Sequence, residues 1–171
     1  AMVITTNSGL WRYKIGDTVK FTCLNPYRIK ITGRTKHFIN VFGEELVIEN
    51  AEKALSLTSE LTKSSISDYT VGPVFMGSKT KGSHEWLIEF DKQPDNLNKF
   101  MEILDLNLQS LNSDYEAKRY KSSTLELPKL VVARKNLFYD WLSSKNKLGG
   151  QNKIPRLSNS REFIEELISM N

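Results

Sequence analysis

A single cysteine, Cys23, stands among 171 residues, so no intrachain disulfide can form. Its isolation points to a reducing, cytoplasmic setting. Lying inside the strand-like run KFTCL, Cys23 reads as a buried structural thiol rather than a nucleophile. Long apolar runs are missing too. None nears the roughly 20 residues that a membrane helix needs, and the N-terminal residues lack the charged and apolar regions of a signal peptide. Charge of one sign never accumulates: 24 Lys and Arg face 20 Asp and Glu, a formal net charge of +4. The lysines are scattered, which argues against a nucleic-acid arm, and the closely spaced aromatics of an RNA-recognition module are absent. His37 and His84 have no acidic, Cys or His neighbours at ligand spacing. No metal site is therefore expected, and both histidines read as structural or surface residues. Nucleic acid and membrane are both excluded as expected partners.

What remains is an ordinary soluble composition, 39% hydrophobic and 26% charged, enough for one core or one domain with an appended piece. The stretch GLWRYKIGDTVKF (residues 9–21) alternates Trp11, Tyr13 and Ile15 with polar residues, then resumes an extended pattern after Gly16-Asp17. It reads as a hairpin. A third strand, YRIKI, follows the turn at Leu24-Asn25-Pro26. A helix is expected from Glu49-Asn50, with Ala51, Ala54, Leu55, Thr58 and Leu61 at helical spacing and KSSIS ending it. Two strands follow, YTVGPVFM and HEWLIEF, the second with Trp86, Ile88 and Phe90 on one face. From Pro94 or Asp95 an amphipathic helix carries Leu97, Phe100, Met101, Leu104, Leu108 and Leu111. A short helical turn over NSDYEAKRY, a strand in LELPKLVVARK and a glycine-closed helix in NLFYDWLSSKNKLGG come next. Asn159 and Glu162 have the spacing of a capping box for a last helix. The order of elements implies an α+β fold: a small, mainly antiparallel or mixed sheet under covering helices, preceded by a short β segment. Residues 1–34 are too few to fold alone and are expected to belong to the end of a neighbouring domain; residues 35–171 form the second unit.

Two segments resemble a known superfamily. YKIGD (13–17) is similar to the Tyr-Arg-Thr-Gly-Asp motif of adenylate-forming enzymes. The segment GRTKHFINVFGEELVIENAEKAL, some sixteen residues on, looks like their hinge motif, with Gly33, Arg34, Lys36, Ile39, Gly43 and Glu52 in register. Further segments, LNSDYEAKRY, LELPKLVVARKNLFYDWL and GGQNKIPRL, resemble the end of the auxin-responsive (Gretchen Hagen) acyl-acid amido synthetases. Their wording is closer to bacterial members than to plant enzymes. The resemblance spans residues 9–168. It implies the C-terminal mobile domain of an enzyme that adenylates a carboxylic acid with ATP and then forms an amide with an amine or amino acid. An N-terminal adenylation domain would be its partner. ATP or AMP with Mg²⁺ would act in the whole enzyme, none bound tightly to this chain, which alone would be inactive. A free-standing interaction or regulatory domain that kept the fold without catalysis is the alternative.

The resemblance also assigns residues. Asp17 would accept hydrogen bonds from both ribose hydroxyls, a task suited to a two-oxygen carboxylate; on spacing alone it only turns a hairpin. Tyr13 would line the nucleotide or else fill a core, whereas Trp11 reads as packing. Arg34 offers a fork of donors to ribose or phosphate. Lys36 and Gly43 would form the hinge and its following turn. Asn40, where coenzyme-A ligases usually have Lys, speaks against a coenzyme-A role. Lys153 would be catalytic, its ammonium stabilising charge that develops on the α-phosphate during adenylation. Gln151 and Arg156 would support its loop.

Overall fold

The computed structural model describes residues 1–34, 38–78, 80–122, 124–149 and 153–171. Lys36, His37 and Gln151 lie outside the described residues. The fold is α+β, with five α-helices among the described residues. Its centre is a three-stranded mixed sheet. Strand β7 (Ser65–Val74) pairs antiparallel with β8 (Ser83–Lys92), and β8 pairs parallel with β9 (Lys129–Ala133).

Side-chain alternation on β8 explains the layering. Trp86 and Ile88 point to one face, where they join Ala51, Leu55, Phe100, Leu104 and Leu108, and Phe90 packs against this cluster. Those partners come from α1 (Ile48–Thr62) and α2 (Leu97–Leu111). Leu87, between them, points to the other face and meets Leu137, Phe138, Trp141, Ile164 and Leu167, from α4 (Leu137–Ser144) and α5 (Glu162–Met170). A strand buried on both sides needs apolar residues at every position, and Trp86-Leu87-Ile88 supplies three, all fully buried. Each such side chain contributes on the order of 1.5–3 kcal/mol by leaving water. Helix α2 begins where the Asn96 side chain accepts from the Lys99 amide at 3.0 Å. Between α2 and β9 lies the short α3 (Ser113–Arg119), capped in the same way by Asn112.

Several local expectations are corrected. Tyr13–Lys14 (β2) pairs with Val3–Ile4 (β1), not across the Gly16-Asp17 turn. Alternation shows that a segment is extended but does not name its neighbour. Asp17–Leu24 (β3) instead pairs with Tyr27–Arg34 (β4) in a long ribbon. Cys23 is half-buried in β3, its thiol donating to the Asn25 carbonyl at 3.3 Å. Much of KSSIS already belongs to β7. Leu61 is 67% exposed, because the buried stripe of α1 ends at Thr58. Asn146, at φ 54°, follows α4 in the left-handed conformation expected of a glycine. Helix α5 has no side-chain cap at Arg161, so no capping box forms; Asn159 is engaged elsewhere.

Candidate functional site

Asp17 and Arg34 are direct register partners at one end of the β3–β4 ribbon. Residues 17 apart in sequence thus share one rung, at the point where the chain leaves the ribbon for the rest of the fold. Gly16, at φ 92°, lets the chain swing from β2 into β3. The Asp17 carbonyl also accepts from the Met2 amide at 2.8 Å, which ties the first residues to this end. Tyr13 stands on β2 and is 53% exposed, so it is no core residue, and Trp11, expected to pack, is 79% exposed.

Beyond the ribbon, Phe38–Ile39 (β5) and Leu46–Val47 (β6) form a small hairpin. Gly43 in its turn has φ +83°, and a Cβ there would come within 3.1 Å of Lys118 Nζ. Glycine is therefore favoured by conformation, while the flexible Lys118 side chain could move aside to admit a Cβ. Glu44 turns inward and is fully buried, as is its partner, His84 of β8; His84 Nε2 meets Glu44 Oε1 at 2.8 Å. The second carboxylate oxygen accepts from the Phe42 amide at 2.7 Å. Burial pushes the Glu44 carboxyl upward, but the His84 hydrogen bond and charge, with backbone donors, outweigh it and leave the group below its ordinary value. Asn112 adds two bonds to the same turn, donating to the carbonyls of Glu44 and Glu45 at 3.1 and 3.2 Å. Sequence patterning did not reveal this buried pair, because an acidic residue in a Gly-Glu-Glu turn looks like a solvated one.

The segment containing Lys153 is held on the outer edge of β7. The Val71 amide donates to the Arg156 carbonyl at 2.9 Å, the Ser158 amide to the Val71 carbonyl at 3.1 Å, and the Thr70 hydroxyl to the Pro155 carbonyl at 2.7 Å. Val71 and Leu157 form a parallel bridge, so residues 154–158 act as a short fourth strand. Arg156 pairs with Asp68 and lies 4.6 Å over the Tyr69 ring. Ile154 and Leu157 are buried while Lys153 is exposed. An exposed ammonium thus stands at the margin of a firmly anchored strand. A groove of about 1050 Å³ opens between the ribbon and α1, lined by Lys20, Lys30, Glu49 and Glu52 among others. Tyr13, Asp17 and Lys153 are not among its lining residues.

Residues 49–162 match the profile of the GH3 family C-terminal domain, and residues 1–34 match that of the GH3 family central domain. The chain belongs to the GH3 family. Its backbone is also like that of solved synthetases. "GH3.15 acyl acid amido synthetase" superimposes with a TM-score of 0.76 at 22% identity, over 98% of this chain and 32% of that one. "AtGH3.15 acyl acid amido synthetase in complex with 2,4-DB" gives 0.74 at 21%, with the same coverage. At such identities the likeness is one of fold. The GH3 chain spans about a third of the length of these two structures. Comparison with curated proteins returns no match. No helix among the described residues of this GH3 chain is long and apolar enough to cross a membrane.

Of the residues singled out in the sequence, the GH3 fold brings Asp17 and Arg34 onto one rung and sets Lys153 and Arg156 on the β7 edge. It leaves Tyr13 on a separate two-stranded ribbon.

Proposed function

We propose that this GH3 chain is the C-terminal part of an ATP-dependent acyl acid amido synthetase of the cytoplasm. The carboxylate of an acid attacks the α-phosphorus of ATP and the bond to the β-phosphate breaks, releasing pyrophosphate. An amine, such as that of an amino acid, then attacks the acyl-adenylate carbonyl and AMP departs. Asp17 and Arg34 would take the ribose end of the nucleotide, with Tyr13 beside them. Mg²⁺ would travel with the ATP phosphates. Residues 1–34 would close the preceding domain and residues 35–171 would move as one body, with Lys36 as the hinge. Lys153 would deliver its ammonium to the developing phosphoryl charge, its loop supported by Gln151 and Arg156. The carrying observation is that family membership and backbone likeness run together over nearly the whole chain, which accounts for about a third of the length of the synthetases it resembles.

The test is Lys153→Ala in the longer enzyme. Loss of one preorganised donor costs about 2.7–4 kcal/mol of transition-state stabilisation, roughly 10²–10³ in rate. Adenylation, read as acid-dependent pyrophosphate exchange, should fall by that factor. Amide formation from pre-formed acyl-adenylate should be spared, and Lys145→Ala and Lys147→Ala should behave like the parent. Adenylation within a few-fold of the parent would remove Lys153 from the mechanism.

A further inference from the structure

Arg156 is only half used by the contacts that hold it. Its Nη1 donates to the Asp68 carboxylate and to the Tyr69 carbonyl, the latter at 3.2 Å, and the guanidinium lies 4.6 Å over the Tyr69 ring. Its other edge, Nε and Nη2, makes no hydrogen bond with any described residue, and the side chain is 32% exposed. A guanidinium clamped on one side and open on the other is preorganised to take a carboxylate through two parallel bonds. Arg156 lines a pocket of about 250 Å³ beside α1 and β7. Glu52, Leu55 and Ser56 line it from α1; three and four residues apart, they share one face of the helix. Ile66 and Ser67 line it from β7. Glu52 forms no hydrogen bond or ion pair with any described residue, Arg156 included. Tyr69 also lines the pocket, and its buried hydroxyl has no partner. Burial, and after it the Glu52 charge, keeps that hydroxyl protonated and so a donor.

Two opposite charges thus line one small pocket without neutralising each other. A ligand of one sign would satisfy one of them and be repelled by the other. We infer that this pocket binds a small zwitterion, an α-amino acid, with its carboxylate on the open edge of Arg156 and its ammonium on Glu52. The volume falls below the roughly 300–1,000 Å³ of pockets that take drug-sized ligands, which restricts the occupant to a molecule of this size. Leu55 is buried and Ile66 half-buried, so the pocket offers an apolar floor to a short aliphatic side chain rather than to a charged one. The hydroxyls of Ser56 and Ser67, neither of them hydrogen-bonded to a described residue, are further acceptors for the ammonium. Binding at this pocket is independent of the synthetase reading above.

Titration of the isotope-labelled 171-residue chain with L-valine, followed by nuclear magnetic resonance, tests it. Valine should shift the Ser56 and Ser67 amides and the Arg156 Nε–H saturably, with a Kd on the order of 1 mM. Acetate, isopropylamine and inorganic phosphate, each with charge of one sign, should all bind at least about fivefold more weakly. Glu52→Gln should weaken valine about fivefold, the effect of one exposed charge pair. Its fold should be unaltered, because Glu52 holds no other residue. Arg156→Lys keeps the charge but loses the fork, and should weaken valine about tenfold. Arg156 also anchors the 154–158 strand, so if Arg156→Lys displaces the Val71 and Ser158 amides, Glu52→Gln alone decides. Absence of a saturable shift with valine would overturn the inference. So would acetate or phosphate binding as tightly as valine, or Glu52→Gln binding valine like the parent.

Discussion

Glu44 and His84 share a hydrogen bond where neither side chain meets water, so removing the charge of one leaves the other's polar atoms without a partner of equal strength. His84 Nδ1 is already buried without a hydrogen bond. Aromatic rings close the pocket, Tyr115 at 5.7 Å and Phe42 at 6.3 Å, and the Tyr115 hydroxyl is turned away to Asp105, itself paired with Arg119. Glu44→Gln should cost about 1–3 kcal/mol at pH 7, the usual penalty for an impaired buried partner. The pH dependence follows from the lowered folded-state value of Glu44. Its contribution is complete above the unfolded value, about 4.3, and is lost as pH falls toward the folded one. Urea denaturation should therefore show the gap between parent and Glu44→Gln narrowing below pH 4.3. A gap that stays constant into acid would mean that the carboxylate's charge contributes nothing.

Helix α2 packs its apolar face on the sheet through Phe100, Leu104 and Leu108, all fully buried. Leu104→Ala should cost about 2–5 kcal/mol in chemical denaturation, through lost transfer energy and a residual cavity. Leu61→Ala, one residue type at similar helical spacing, should stay within about 0.5 kcal/mol because that side chain is exposed. The pair also shows what the sequence discloses. Apolar spacing located α1, α2 and β8 and the facing of Trp86 and Ile88, since periodicity reflects burial directly. It could not show where the core stops along α1, which is why Leu61 seemed part of the stripe. Likewise Tyr13 and Val19 both looked extended, but only the fold shows that their strands pair with β1 and β4. Short motifs marked Asp17, Arg34 and Lys153 as the candidate residues. The hydrogen bond from the Asn40 amide to the Asn159 side chain and the Glu44–His84 pair were not legible, because each joins residues at least 40 positions apart, and no local pattern records such a meeting.

At the scale of the molecule, the ribbon β3–β4 stands apart from the two hydrophobic clusters, with Phe21, Ile29 and Ile31 each about half exposed or more. Asp17 and Arg34 at its end would, on the proposed function, supply only part of a nucleotide site. The chain assayed alone with ATP and a panel of carboxylic acids should accordingly release no acid-dependent pyrophosphate; robust release would place a whole active site within these residues. The closing of the β7 edge by residues 154–158 has a consequence in time as well as space. Thr70 and the carbonyl it bonds, that of Pro155, lie 85 residues apart. At the usual pace of synthesis, about 5–20 residues per second, a ribosome needs roughly 4–17 s to make the intervening chain. For that interval the outer rim of β7 is a bare row of amides and carbonyls, open to the nascent chain of a neighbouring ribosome. The hazard ends only when residues 154–158 have emerged and paired.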